Sequence, residues 1–481
     1  MDAWFAGNFE DCLHLCDAAR VRDSQTGIHV ALLRTRALTR LHRLDEALAA
    51  LGDAAPAPYG SDEALTARML AGELHVRRGD ADAGLKLLLG AQSDMAGAHP
   101  TICSEIYLNI GLAHYALHDF AAADAALSRI ERSADLVHAR GIQYRAWVAT
   151  ARGESERAVS MFVRALAALD ACRHHDRYFE ANCVRALAHL SVERLERRTW
   201  HHVSTRRASI DWTSNALAEP RFFIAYCAAT YELDIAGNPV GAAREGRFAE
   251  NIAPSDAFRV QARCKRASIA RHVGEQLGHL DHVESAAELF SSLDSEKLTG
   301  DEKIVPMILA EELAAIKAGE ARALLELYRG LSALSPLRLF ARSPVGEAYR
   351  RLVEAFVYDR AGDRHAAIQH YRFAYKTFRE TGYVRRAVMA ALGLWRLTAD
   401  RDAYAYATST TRHLPPQSSI RREVEAAKRT ELDLTAVQRE VLALICQGKS
   451  NPEIARLRKR SLHTIRNLVA RLFEIFGVTS R

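Results

Sequence analysis

The chain has 481 residues, 49% apolar and 26% charged, with 12 prolines and 26 glycines. This composition is too apolar for a disordered chain and too poor in breakers for a turn-rich β protein, and it favours a large, mainly helical core. The charge, +6 overall, is unevenly placed: of 65 basic and 59 acidic residues, nine and three lie between Leu434 and Arg481, so the remainder is balanced at 56 of each. The whole excess therefore sits in the last tenth of the chain, which marks that segment for contact with a polyanion.

The first residues, MDAWFAGNFEDCLHL, carry acids where a secretory signal would be basic and then apolar, and no run of about 18 apolar residues follows. The expectation is a cytoplasmic protein with no membrane partner. Eight scattered cysteines form no CxxC pair and no zinc-spaced cluster, so they read as buried free thiols. His174-His175 and His201-His202 are adjacent pairs that point about 100° apart on a helix, which is not ligand geometry. No metal, cofactor or catalytic set is expected, and the chain is read as no enzyme.

From the N-terminus onward an apolar-periodic helix, a short turn and a second helix opening toward an alanine recur every 35 to 45 residues or so. The turns fall near Gly7-Asn8, His42-Arg43, Gly79-Asp80, His118-Asp119, Gly153-Glu154, Arg198, Gly237-Asn238, Gly274-Glu275, Gly319-Glu320 and Gly362-Asp363. A hairpin of this size cannot bury its apolar face alone, so neighbours must stack into a solenoid. In YLNIGLAHYALHDFAAADAAL, Gly111 permits close helix approach, Ala123 fits the tight crossing and Leu127 continues the buried stripe. This unit resembles the tetratricopeptide repeat, as does EAFVYDRAGDRHAAIQHYRFA with Gly362, Asp363, Ala367 and Tyr371. The other units match more loosely, and the resemblance implies an all-α, tetratricopeptide-like array over residues 1–414 that senses or binds a protein, peptide or small molecule.

The pattern fades between Arg198 and Pro220, and the first hairpin lacks most of its first helix: either the natural start lies upstream or a shortened helix caps the array. Tyr107, Tyr115, Trp147, Tyr226, Tyr371 and Tyr375 have helical spacing and read mostly as core. After Leu414, PPQSS and a charged stretch make residues 415–433 a linker.

In the remaining segment, 434–481, Thr435 can open a helix carrying Leu434, Val441, Leu442, Leu444 and Ile445, and Gly448 ends it. Gly448-Lys449-Ser450 looks like the end of a phosphate-binding loop, but such a loop needs glycine at 443, where the chain has Ala443, and a preceding strand. Asn451 reads as an N-cap and Pro452 as the first residue of a short second helix. Ser461 can cap a third, with Ile465, Leu468, Val469, Leu472 and Phe476 as its apolar stripe. His463, Arg466, Asn467 and Ala470 then share its exposed face. A short helix, a tight turn and a helix with a free polar face is helix-turn-helix geometry, which lays the last helix in the major groove. Arg466 suits guanine, Asn467 adenine and Ala470 a thymine methyl, while Lys449, Ser461, Thr464 and Arg471 suit phosphates.

LTAVQREVLALICQGKSNPEIA and HTIRNLVARLFEIFGVTSR, in register over the whole segment, resemble the LuxR-type helix-turn-helix domain. The resemblance implies that the helix from Ser461 to Phe476 is the recognition helix, with Arg466 at a base-contacting position. Arg458 and Arg460 stand where the family is usually apolar, so the corner is altered or Leu457 supplies its packing, and Leu468 replaces a frequent histidine. The chain stops at Arg481, where the family's fourth, pairing helix would begin, so a homodimer through this segment is open. Double-stranded DNA is the partner expected here, in a transcription regulator controlled by its repeat array. The competing expectation is a protein-interaction scaffold with a degenerate DNA-binding tail.

Overall fold

The computed structural model describes residues 2–19, 23–54, 57–58, 60–132, 135–298, 300–314, 316–333, 343–429 and 435–476. Among these every regular element is helical. The chain divides into two compact units, Met1–Arg421 and Arg422–Arg481.

The first unit is a series of helical hairpins: α1 (Asp2–Phe5) with α2 (Phe9–Ala18), α3 (Ser24–Arg40) with α4 (Leu44–Gly52), α5 (Asp62–Arg77) with α6 (Ala81–Ser93), α7 (Pro100–Ala116) with α8 (Phe120–Ser128), and α9 (Asp135–Ala151) with α10 (Ser155–Asp170). It continues with α11 (Arg177–Glu193) and α12 (Arg197–Ser209), α13 (Ala218–Tyr231) and α14 (Pro239–Asn251), and α15 (Asp256–Val273) and α16 (Gln276–Ser291). The last pairs are α17 (Val305–Leu313) with α18 (Ala318–Ala333), α19 (Pro344–Arg360) with α20 (Arg364–Thr381), and α21 (Val384–Thr398) with α22 (Arg401–Thr411). This is an all-α, tetratricopeptide-like solenoid.

One turn device repeats. A residue in the left-handed region ends the first helix, at Gly7, His42, Gly79, His118, Gly153, Leu195, Gly237, Gly274, Gly362 or Ala399, and the next residue or two opens the second. Where that residue is Asp80, Asp119, Asn238, Asp363 or Asp400, its side chain accepts a backbone N–H three residues on, satisfying one orphan donor of the helix start. Gly111 is held by packing instead: a Cβ there would lie 2.5 Å from Cγ of Leu127, the close crossing the sequence requires, and Ala123 beside it is fully buried.

Two expected turns move. The turn assigned to Arg198 lies at Leu195-Glu196, because Leu195 takes the left-handed backbone and Arg198 is already inside α12. Gly319 sits within α18, so that turn precedes Ala318. The fading pattern near 200–220 has a local cause: α12 runs to Ser209, and an extended stretch and a single 3₁₀ turn, Asn215–Leu217, replace the tight connection before α13. The expected linker 415–433 is corrected in part. Residues Ser419–Arg429 form a helix, α23, and Ser418, Ser419 and Ile420 at its start are buried; residues 430–433 lie outside the described residues. The cysteine expectation holds for five residues only, since Cys103 and Cys172 are half-buried and Cys446 is exposed.

The array folds back on itself. Ser214 Oγ donates to the Gly7 carbonyl at 2.8 Å, and the Phe9 and Tyr178 rings meet edge to face at 5.7 Å. Arg385 of α21 reaches Asp234 at 2.6 Å and Arg386 reaches Glu193 at 3.3 Å.

The second unit holds α24 (Ala436–Cys446), α25 (Asn451–Leu457) and α26 (Leu462–Phe476). Its core is Val441, Ile454, Ala455, Ile465, Val469 and Leu472. Leu434, Gly477, Val478, Ser480 and Arg481, and the side chain of Phe476, lie outside what is described.

Candidate nucleic-acid interface and the ionic centre of the array

In the C-terminal unit the start of each helix and the end of α24 have a chemical cause. Thr435 and Gln438 form a reciprocal capping box at α24, with Gln438 N donating to Thr435 Oγ1 at 3.2 Å and Thr435 N to Gln438 Oε1 at 2.7 Å. Gly448 takes the left-handed backbone that ends the helix. The cap of α25 is Ser450 rather than Asn451, which is the first helical residue: Ser450 has the extended backbone and the Glu453 carboxylate accepts from its N–H at 2.7 Å and its Oγ at 2.6 Å. Those bonds, the side-chain one first, hold the Glu453 carboxyl below its ordinary range. Ser461 caps α26 as expected, accepting the Thr464 N–H at 3.1 Å.

On α26 the buried edge is Ile465, Val469 and Leu472, with Leu468 half-buried. His463, Arg466, Asn467 and Ala470 are exposed together on the opposite side, and Asn467 Nδ2 lies 3.4 Å from His463 Nδ1. Ser461, Thr464 and Arg471 are exposed around them, and Lys449 is half-buried in the turn between α24 and α25. Arg466 has no acidic partner among the described residues. Arg456, Lys459 and Arg460 add further exposed cations. At the corner, Leu457 is 59% exposed and supplies no packing. Arg458 instead folds toward α24 and pairs with Glu440, so an ion pair stands where an apolar contact would.

The array has a second polar concentration, which sequence reading missed. Helix α21 runs against α11 and brings Arg385 and Arg386 into the interior. Arg385 Nε donates to Asp234 Oδ2 at 2.6 Å and its Nη1 lies 3.7 Å from Glu193. Arg386 donates to Glu193 at 3.3 Å, lies 3.6 Å from Glu311 and stacks over the Tyr349 ring at 4.2 Å. Tyr349 donates in turn to Glu311 at 3.1 Å. Burial alone would raise the Asp234 carboxyl, but Arg385, His272 and the Ser419 hydroxyl together outweigh it and bring Asp234 to about 2. Burial and then the repulsion of Arg385 push Lys265 down to about 8, and its ammonium sits over Tyr226 at 4.5 Å. Ser418 Oγ and Ser419 Oγ donate to the Asp234 carbonyl and carboxylate, so the start of α23 is fastened to this centre. The one sequence trace of it was Arg385-Arg386 inside the otherwise apolar run VRRAVMAALGLW.

Of the aromatics read mostly as core, Tyr371 is fully buried, whereas Tyr107, Tyr115, Trp147, Tyr226 and Tyr375 are half-buried. No group of three or more His, Cys, Asp or Glu residues able to hold a metal occurs among the described residues, and no helix there is long and apolar enough to cross a membrane.

No family model matches the chain. No curated protein matches it either. Among solved structures it is similar to the APC/C hetero-tetramer Cut9-Hcn1 (12% identity, TM-score 0.37, covering 85% of this chain and 83% of that one). It is similar also to Naa15/Naa10 bound to HypK-THB (12%, 0.23, 98% and 97%) and to yeast Tom70 (12%, 0.27, 89% and 100%). The assignment as a helical-repeat protein stands on the hairpin geometry above.

Proposed function

We propose that the chain is a cytoplasmic, non-enzymatic transcription regulator that binds duplex DNA through its C-terminal unit and receives a protein, peptide or small-molecule signal on its repeat array. One observation carries this reading: His463, Arg466, Asn467 and Ala470 stand exposed on one side of α26 while the other side is packed into the unit's own core. A helix fixed from behind and polar in front is what a major-groove reader needs. Arg466 would take a guanine, Asn467 an adenine and Ala470 a thymine methyl, and Ser461, Thr464, Lys449 and Arg471 would hold phosphates on either side. A signal bound by the array alters DNA affinity to the extent that it distinguishes two states of the chain.

The test is titration of duplex DNA, drawn from genomic fragments selected by the purified protein, at several salt concentrations. A log–log slope of several units supports recognition, with affinity lost in Arg466→Ala and Asn467→Ala. Absent or salt-independent binding overturns it. The second reading, a protein-interaction scaffold whose tail no longer reads DNA, is favoured by one feature: charged Arg458 and Arg460 occupy a corner that the resembling family fills with apolar residues. Failure of the titration in a folded protein would favour it.

A further inference from the structure

Elsewhere in the array the backbones of a hairpin's second helix and of the next hairpin's first helix approach closely, as in α6 and α7, α10 and α11, and α14 and α15, whereas those of α12 and α13 hardly do, and the two helices meet through the stacked Trp200 and Tyr231 rings. The long connection through Asn215–Leu217 holds them apart, and a cleft of about 410 Å³ opens between them. Along α13 and the helical turn that continues it the cleft is lined by Arg221, Ile224, Ala228 and Glu232, a spacing of three, four and four residues that forms one stripe. Its two charges stand at the ends, roughly 16 Å apart at 1.5 Å per residue, with an apolar floor between. Trp200 and Trp212 contribute aromatic lining. Trp200 is stacked on Tyr231 at 4.5 Å, and Trp212 is anchored by its indole N–H on the Arg207 carbonyl at 3.1 Å.

The two end charges are available. Arg207, the other lining cation, is spent on Glu245 at 2.9 Å. Arg221 has no carboxylate partner among the described residues and lies only over the Phe248 ring, 5.4 Å from its centroid. Glu232 uses one oxygen on Asn238 Nδ2 at 2.9 Å, and its other oxygen has no partner among the described residues.

We propose that the α12–α13 cleft is a docking groove for an extended peptide segment of about five residues, acidic at the end that meets Arg221, basic at the end that meets Glu232, and apolar or aromatic between. Five extended residues span about 13 Å from first to last at about 3.3 Å per step, and the side chains at the two ends close the remaining distance, while a cation and an anion at opposite ends, neither of them ion-paired among the described residues, fix which peptides fit. The proposal rests on the array being the receiving half of the regulator, and it is independent of how the C-terminal unit meets DNA.

The experiment is affinity selection by the immobilised full chain from pooled, end-blocked pentapeptides with three randomised apolar or aromatic central positions, read by mass spectrometry. Four pools differ only in their end residues: Lys and Glu, two Lys, two Glu, or two Ala. The Lys-and-Glu pool is enriched about tenfold over the others. Arg221→Glu moves the enrichment to the two-Lys pool, and Arg221→Gln abolishes the preference for an acidic end, each with an unchanged helical circular dichroism spectrum. Equal retention of all pools, retention of none, or a preference indifferent to both Arg221 variants overturns the proposal. DNA titration of the same preparations separates the two readings: a peptide failure with intact DNA binding removes the groove alone, and the converse removes the DNA reading alone.

Discussion

Arginine does opposite work in the two units. In the array, Arg385 and Arg386 are largely withdrawn from water and held by Asp234, Glu193 and Glu311; in the C-terminal unit, Arg456, Arg460, Arg466 and Arg471 face solvent. Removing water makes a guanidinium depend on its carboxylates, because an orphaned buried charge costs several kcal/mol. Leaving it in water keeps its charge ready for a polyanion and makes it nearly irrelevant to folding. The same side chain is thus a structural clamp in one unit and a candidate ligand contact in the other.

The contrast can be broken most sharply at Arg385. Arg385→Ala leaves Asp234 buried without its cation and should lower the unfolding free energy by about 3–5 kcal/mol, read from urea titration. Adding Asp234→Asn should recover part of that loss, since the stranded charge is then gone. A parent-like midpoint for Arg385→Ala would mean that the buried pair is not what holds α21 in place.

Acid probes the same centre. Asp234 is at about 2 in the folded chain against 3.8 in the unfolded one, so the unfolded chain takes up the proton first as pH falls. The stability this carboxylate contributes is complete above about pH 5 and is lost on the way down to about pH 2, on the order of 2 kcal/mol. Asp234→Asn should flatten that part of the stability–pH curve.

For the outward-facing arginines the expectation reverses. Arg466→Ala should cost about 1–3 kcal/mol in DNA binding and relax base preference at one position, while changing the unfolding free energy by no more than about 0.5 kcal/mol. Smaller again is Ser450→Ala, about 1 kcal/mol of stability through the lost cap of α25, with DNA affinity falling only as far as that helix start frays.

Much of this was legible in the sequence. Hairpin turns announce themselves through a glycine or histidine followed by a capping Asp or Asn, and Gly111 with Ala123 and Leu127 gave away a helix crossing. The face of α26 followed from a spacing of three, four and seven residues. Two kinds of feature were not legible. One boundary shifted to Leu195 and the turn at Ala399 went unnoticed, since nothing local marks a leucine or an alanine for the left-handed region. The ionic centre was invisible because its members are far apart in sequence and each looks like an ordinary surface charge; Asp234 follows Glu232 in a segment that reads as a hairpin turn, and only α21 running against α11 turns it inward. The cap at Ser450 was missed for a simpler reason, since Ser450 and Asn451 are both good caps and only Glu453, three residues after the serine, distinguishes them.

The folding back of the array bears on how such a chain can change length. In an open solenoid each repeat touches its neighbours, and units can be gained or lost in the middle with local consequences. Here Arg385 is paired with a residue 151 positions earlier and Arg386 with one 193 positions earlier. Deleting a hairpin between α12 and α20 would carry α21 out of register with both acids. The repeat number in this stretch is therefore constrained by partners at its two ends, and a whole inserted repeat should be more disruptive than a lengthened loop.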